Sequence, residues 1–334
     1  MKEKGLYLVT ILLFALLFFG VYTDSKKASG TDSETAAKPV VGILQYVTHP
    51  SLDAIEQGIE DGLAEAGYGK DQVEILLMNP QADQSKIQTM GQQLVNKSDV
   101  LVGIATPAAQ GLANLTKDTP LVMGAVSYPV QAGLVTSEEK PEGQITGVTG
   151  RPAVGEQMKF IQEILPDVKN IAVLYSSNED NSKAQAEDAK TSAAALGITV
   201  NDYVVSNTND IKAVAQKALA ENDCIYLPQD NTVASAVDTV VQLAMDAKKA
   251  IFPSVTDQLE QGGLATIGID QHQIGIDTGK MVAEILDGKK PKDIPVYSST
   301  EGQKTINKAV AEKLGITFSA DVLKEAKDIT EISE

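Results

Sequence analysis

Two short stretches of this chain combine residue types that can hold a charged small molecule. Thr106-Pro107-Ala108-Ala109 follows an apolar run, Val100–Ala105, that is too short and too β-branched to be a helix. Pro107 suits a first helical position, and the small side chains around it leave the backbone N–H groups of that helix start bare. Bare amides at a positive helix end suit a carboxylate. The plainer reading is a cap, with Thr106 satisfying its own helix. Ser127 ends the next apolar run and adds a hydroxyl donor. Asp230-Asn231-Thr232 opens a helix at the matching place in the second half of the chain. Asp230 either caps that helix or pairs with an ammonium through a charge-assisted bond. Asp270 closes a further strand and either helps hold an amine or only fixes a chain crossing. Gln45, Thr149 and Asn178 are polar strand-end residues placed to line a cleft. His49 reads as a solvated loop residue and His272 as a surface helix residue.

Enzymatic chemistry finds little support in the chain. No G-x-G-x-x-G follows the first strand of either half, and the sequence has neither a P-loop nor a metal-spaced His/Cys cluster. Cys224 sits in an apolar strand pattern, which predicts an inert thiol. The expectation is a binding protein without metal or cofactor.

The elements that position these residues come from a chain of 334 residues with 43% hydrophobic content, a globular composition. A net charge of −17 argues against a nucleic-acid partner, which needs a basic face. Gly5–Tyr22 carries no charge and follows Lys2 and Lys4, the pattern of a secretory h-region or a membrane span. Residues 1–23 are therefore expected to be a signal or anchor, with the rest exported. A lipoprotein cysteine is missing behind the run, and Ala28-Ser29-Gly30 is a distant cleavage site, so an uncleaved anchor is expected. Residues 24–38 are small and polar and read as a disordered tether, with a reach of roughly 20 Å.

From Pro39 onward, short β-rich runs alternate with helical patterns. The expected strands are Val40–Tyr46, Val73–Met78, Val100–Ala105, Leu121–Val126 and Ile145–Val148. The alternation restarts with Ile171–Tyr175, Val200–Val205, Cys224–Leu227, Ile251–Val255 and Leu264–Ile269. Helices are expected at Ser51–Ala66, Gln84–Val95, Gln271–Asp287 and near Ile306–Lys313. Such repetition implies an α/β fold with parallel sheets and helices on both faces. Ligands of such sheets bind beyond the carboxyl ends of the strands, where the residues above lie.

Taken together, the loop sequences resemble the substrate-binding proteins of bacterial ABC importers, in the branch that includes tryptophan- and tyrosine-type importers. The resemblance covers Val40 to Ile329. Its most specific parts are DNTVASA (Asp230–Ala236), GIDQHQIGIDTGKMVAEILDGKKP (Gly268–Pro291) and VSYPVQAGLV around Ser127. The chain departs from the branch at Tyr128, often an acid there, and in lacking the acylated cysteine. The resemblance implies two doubly wound parallel-sheet lobes joined by a three-strand hinge, a type I periplasmic-binding-protein-like fold. Lobe 1 would hold 39–150 and 271–297, and lobe 2 would hold 151–270 and 298–334, with crossings near Gly150, Asp270 and Tyr297–Thr300.

The implied ligand is an α-amino acid with an aromatic side chain, closed between the lobes. Thr106, the Ala108 amide and Ser127 would take its carboxylate, with Pro107 keeping the helix start rigid. Asp230 would pair with its amine, with Asn231 a further binding residue and Asp270 either holding the amine or fixing the crossing. Gln45, Thr149 and Asn178 would line the cleft, and Tyr46, Tyr128 and Tyr226 could form an aromatic wall. The implied partner is a membrane permease, with the protein acting as a monomer tethered outside the cytoplasm. A repressor-type sensor would need a DNA-binding helix pair, and a receptor ectodomain would need a cytoplasmic output domain.

Overall fold

The computed structural model describes residues 37–298 and 302–329. The expected anchor and all but the last two residues of the expected tether lie outside these. Among the described residues no helix is long and apolar enough to cross a membrane.

The first half of the chain runs β1 (Val40–Gln45), α1 (Pro50–Glu65), β2 (Glu74–Met78), α2 (Gln84–Val95), β3 (Val100–Ile104), α3 (Thr106–Leu115), β4 (Leu121–Gly124) and β5 (Ile145–Thr149). The alternation restarts with α4 (Val154–Ile164), β6 (Asn170–Ser176), α5 (Asp180–Ala194), β7 (Thr199–Val205), α6 (Ile211–Glu221) and β8 (Cys224–Leu227). It continues through α7 (Asn231–Ala234), α8 (Val237–Asp246), β9 (Ala250–Pro253), α9 (Asp257–Glu260) and β10 (Ala265–Gly268). The last part holds α10 (Gln271–Leu286), β11 (Tyr297–Ser298), β12 (Gln303–Ile306), α11 (Lys308–Leu314), α12 (Ala320–Glu325) and β13 (Lys327–Asp328).

One sheet has the order β11-β5-β4-β3-β1-β2, all parallel. A second, parallel sheet has the order β7-β6-β8-β9. A third, β10-β12-β13, abuts it through the Leu264 N–H donating to Ile251 C=O at 2.8 Å. Each parallel sheet is a lobe centre. In β6, Ile171, Val173 and Tyr175 belong to one core and Ala172 and Leu174 to another, as the alternation of strand side chains requires. Helices therefore cover both faces.

The C-terminal part returns to each lobe in turn. Helix α10 packs on α1, and its Ile274, Val282 and Ile285 join the core of the first lobe. That approach is backbone to backbone: a Cβ at Gly58 or Gly62 would stand 2.2 Å from the carbonyl oxygen of His272 or Ile276. Strand β11 pairs with β5 of the first lobe, whereas Ile306 of β12 and Val310 of α11 enter the core of the second.

Two expectations need correction. The segment Gln303–Ile306 is a strand antiparallel to β10, so the terminal helix begins only at Lys308, after the Asn307 side chain accepts from the Val310 N–H at 3.0 Å. The second lobe is thus not wholly parallel. Strands β4 and β9 also stop earlier than expected, because Ala125 turns to a positive φ of 58° and Ser254 begins the loop toward α9.

Candidate functional site

Between the carboxyl ends of the two parallel sheets lies a cavity enclosing about 490 Å³ of space between atoms, its open mouth included. The first lobe contributes His49, Leu52, Thr106 and Ser127 to its wall, and the second Asn181, Gln229, Asp230 and Asn231.

The wall in the first lobe is built on strained backbone. Strand β3 is followed by Ala105, which adopts φ 74° and ψ 156°, and β4 by Ala125 at φ 58°. Side chains other than glycine occupy such positions only when the surrounding fold imposes them, and they gather at functional sites. Here the turn at Ala105 swings the chain straight into α3. That helix carries no side-chain cap, and Pro107 removes one of its free N–H groups. Thr106, Pro107 and Ala108 are all buried, but of these three only Thr106 lines the cavity. Ser127 lies beside it and donates its hydroxyl to Gln229 Oε1 across the cleft.

The opposite wall is organised by two carboxylates. Asp230 caps α7, its Oδ1 accepting from the Val233 N–H at 2.8 Å, while Oδ2 accepts from the Ser176 N–H at 2.6 Å. Glu179, which the sequence reading did not single out, is fully buried beneath the same helix start. Its Oε1 accepts from the N–H and the hydroxyl of Thr232 at 2.9 and 3.0 Å, and its Oε2 accepts from the N–H and the side-chain amide of Asn231. Burial pushes both carboxyls above their ordinary range, and Glu179 further because Asp230 is negative beside it. These N–H and O–H donors act in the other direction, holding the anionic forms.

Of the expected site residues, Thr106, Ser127, Asp230 and Asn231 come together around the cavity. The side chains of Gln45, Thr149, Asn178 and Asp270 do not line it. Gln45 donates to Val47 C=O and to Asp53, bracing the loop that leads to His49. Thr149 hydrogen-bonds Ser298 between paired strands β5 and β11. Asn178 donates to Ser206 C=O at the periphery of the second lobe. Asp270 caps α10 by accepting from the Gln273 N–H at 3.1 Å.

The three tyrosines are also placed elsewhere. Tyr226 is buried in the second lobe against Gln157 and Gln185, and Tyr46 is packed in the core of the first lobe. Tyr128 reaches across the rim to donate to Asp188 at 2.8 Å. Cys224 is fully buried, and burial pushes its thiol up, in keeping with an inert group.

His49 is the main correction. It is only 7% exposed, lines the cavity and bridges the lobes through Nε2 to Asn231 Oδ1 at 3.1 Å. Its contact with Asn231 of the second lobe is long-range in sequence, and nothing around His49 signals it. His272 pairs with Asp61 at 2.9 Å on the outer side of α10. Gln229, Gln258, Gln271 and Asn181 also line the cavity and were missed. Asn181, Gln258 and Gln271 sit in the first turns of α5, α9 and α10 and Gln229 in the loop before α7, and only the fold sets which of these polar side chains turn to the cavity. Among the described residues no group of three His, Cys, Asp or Glu is placed to hold a metal ion.

Comparison with known proteins agrees with this geometry. The family model of ABC transporter substrate binding proteins matches residues 40–330. A crystal structure of an ABC domain in complex with L-Trp from Streptococcus pneumoniae is 48% identical, with a TM-score of 0.86, over 87% of this chain and 99% of that one. A tyrosine-binding protein of Clostridioides difficile is 32% identical over 98% of this chain and 96% of that protein. The ligand-free, open structure of a substrate binding protein with adhesive properties from Clostridium difficile is 30% identical, with a TM-score of 0.66, over 87% of this chain and 98% of that one. The chain belongs to the ABC transporter substrate binding protein family.

Proposed function

We propose that this member of the family is the extracytoplasmic receptor of an ABC importer and holds an α-amino acid with an aromatic side chain between its lobes. The observation that carries this reading is the pairing of opposite chemistries across one cavity. An uncapped helix start and a serine hydroxyl face it from one side, and a buried carboxylate pair backs the other. The carboxylate of the ligand would rest on Thr106, the Ala108 N–H and the Ser127 hydroxyl, which would exchange its bond to Gln229 for one to the ligand. Its ammonium would lie toward Asp230 and Asn231. Both Asp230 oxygens already accept one hydrogen bond, yet each carboxylate oxygen has a second lone pair to offer. A cation there favours the ionised forms of both buried carboxyls.

The apolar wall supports a large side chain. Ala105, Ala125, Ala234 and Gly150 line the cavity, and their small volumes leave space that an aromatic ring would fill. The names of the relatives that bind L-Trp and tyrosine point the same way. Lobe 1 is assigned to 39–150 and 271–297 and lobe 2 to 151–270 and 298–334, which makes the three connections between them the hinge. Closure would present both lobes to a permease, the protein acting as a monomer held by residues 1–23 through the 24–38 tether.

Mass spectrometry of ligand carried through native purification, followed by calorimetry with tryptophan, tyrosine, phenylalanine and leucine, tests the reading. Measurable binding of at least one aromatic amino acid, tighter than leucine, is expected. A co-purified ligand that is not an amino acid, with no heat from any of the four, overturns it.

A further inference from the structure

The hydrogen-bond network around the cavity fixes which ring nitrogen of His49 carries a proton. The Asn231 side-chain nitrogen donates to Glu179 Oε2, an acceptor within the same buried knot. The Asn231 oxygen is therefore the atom turned to His49, and it can only accept. His49 Nε2, 3.1 Å away, must donate to it. In the neutral ring this leaves Nδ1 as a lone pair. That atom is buried and has no hydrogen-bond partner, in a residue 7% exposed that lines the cavity. Burial also holds His49 below the ordinary histidine value, against the pull of Asn231 and Asp53, so the ring is neutral at neutral pH.

Two further cavity-lining groups share this condition. Asn181 donates its nitrogen to Gln229 C=O at 2.6 Å, and its oxygen is buried without a partner. Gln258 Oε1 is likewise buried without one. The unmet demand of these three side chains is thus for donors. A buried acceptor left unpaired costs a folded protein free energy, so such atoms in a cavity mark where a ligand completes the structure.

We infer that His49 is a specificity-determining residue of the site: its Nδ1 accepts a hydrogen bond from an N–H or O–H of the bound amino acid, with its acceptor role imposed by the Glu179–Asn231–His49 relay. The inference rests on the functional reading above and adds that the ligand is read by its donors as well as by its carboxylate.

Two variants separate this contact from the bridge between lobes. His49→Gln places an amide nitrogen where Nε2 stands and keeps the donation to Asn231, but has nothing at the Nδ1 position. His49→Asn places an amide oxygen near Nδ1 and gives up the bridge. Calorimetry with tryptophan should show His49→Gln weakened by about 5- to 150-fold, the effect of one buried unpaired group. His49→Asn should retain more affinity than His49→Gln. Nitrogen-15 spectra of the histidines in the tryptophan-saturated protein, with His272→Gln identifying the signals, should show His49 protonated at Nε2 and its Nδ1 shifted by binding. Wild-type affinity in His49→Gln, or a proton on Nδ1, overturns the inference alone. Absence of binding heat from the wild type with every aromatic amino acid overturns the functional reading, and this inference with it.

Discussion

Asp230 serves its own helix and faces the ligand cavity at the same time. Two N–H donors converge on it, one from Ser176 and one from Val233. An asparagine there has one acceptor oxygen, so its amide nitrogen would be turned against one of those donors. Asp230→Asn is expected to lower stability by about 1–3 kcal/mol, the cost of a buried unsatisfied donor, and to weaken amino-acid binding as well. Thermal melts with and without tryptophan check both effects. A variant that keeps wild-type stability would show that the capping bonds contribute little. The Glu179–Asp230 pair also sets a pH dependence. Its carboxyls are raised in the free protein, and a nearby ammonium lowers them, so binding releases protons. Affinity should then rise as pH climbs from 4.5, the ordinary glutamate value, through the raised range of the pair. Calorimetry in two buffers of different ionisation heat measures the proton count, and uptake instead of release contradicts the assignment. At this scale the sequence was only partly legible. Residue types at strand ends announce a site, but whether Gln45 or Thr149 points into it depends on where each strand stops. His49 meets Asn231 of the other lobe, a partner 182 residues away that no local pattern announces.

The elements were far more legible, because their signals are local. Strand Cys224–Leu227 and helix Gln84–Val95 lie where apolar runs and periodicity place them, and Asp83 caps the latter by accepting from the Ser85 N–H at 2.9 Å. The strand Gln303–Ile306 has no local signal, because its strand state comes from pairing with β10, a partner some forty residues away, so the sequence places the start of the terminal helix at Ile306 instead of Lys308. The contact between α1 and α10 is likewise a tertiary feature with a local cause. Gly58 and Gly62 face Gly275 and Gly279, and the missing side chains let the two backbones touch. Gly62→Val would drive a side chain into the Ile276 carbonyl. Overpacking of this kind costs typically about 1–3 kcal/mol, and here backbone must move rather than a rotamer. Denaturant unfolding should show the loss. Retention of wild-type stability would mean that α10 is free to slide on α1.

The whole molecule is held shut by polar contacts from lobe to lobe. Besides His49–Asn231 and Ser127–Gln229, Gln110 donates to Asp180 at 3.1 Å and Tyr128 to Asp188 at 2.8 Å. Contacts of this kind are individually weak where water reaches them, so a ligand bound to both walls is what favours closure. Small-angle scattering should give a smaller radius of gyration with saturating tryptophan than without. An unchanged radius would argue against hinge motion. The two-lobed layout itself was legible from the doubled β-α order, whereas the extent of closure was not, since it depends on these long-range pairs.

Whether a zwitterion is gripped by opposite walls is read from the affinities of tryptophan, tryptophanamide and tryptamine for one preparation of the protein. Removing the carboxylate charge takes away the group that the start of α3 and Ser127 are placed to hold. Both analogues should bind at least about 10-fold more weakly, the loss of one charge-assisted hydrogen bond, and more if several donors act together. Equal affinity for the acid and its amide would leave Thr106 and its bare helix start with no ligand to hold.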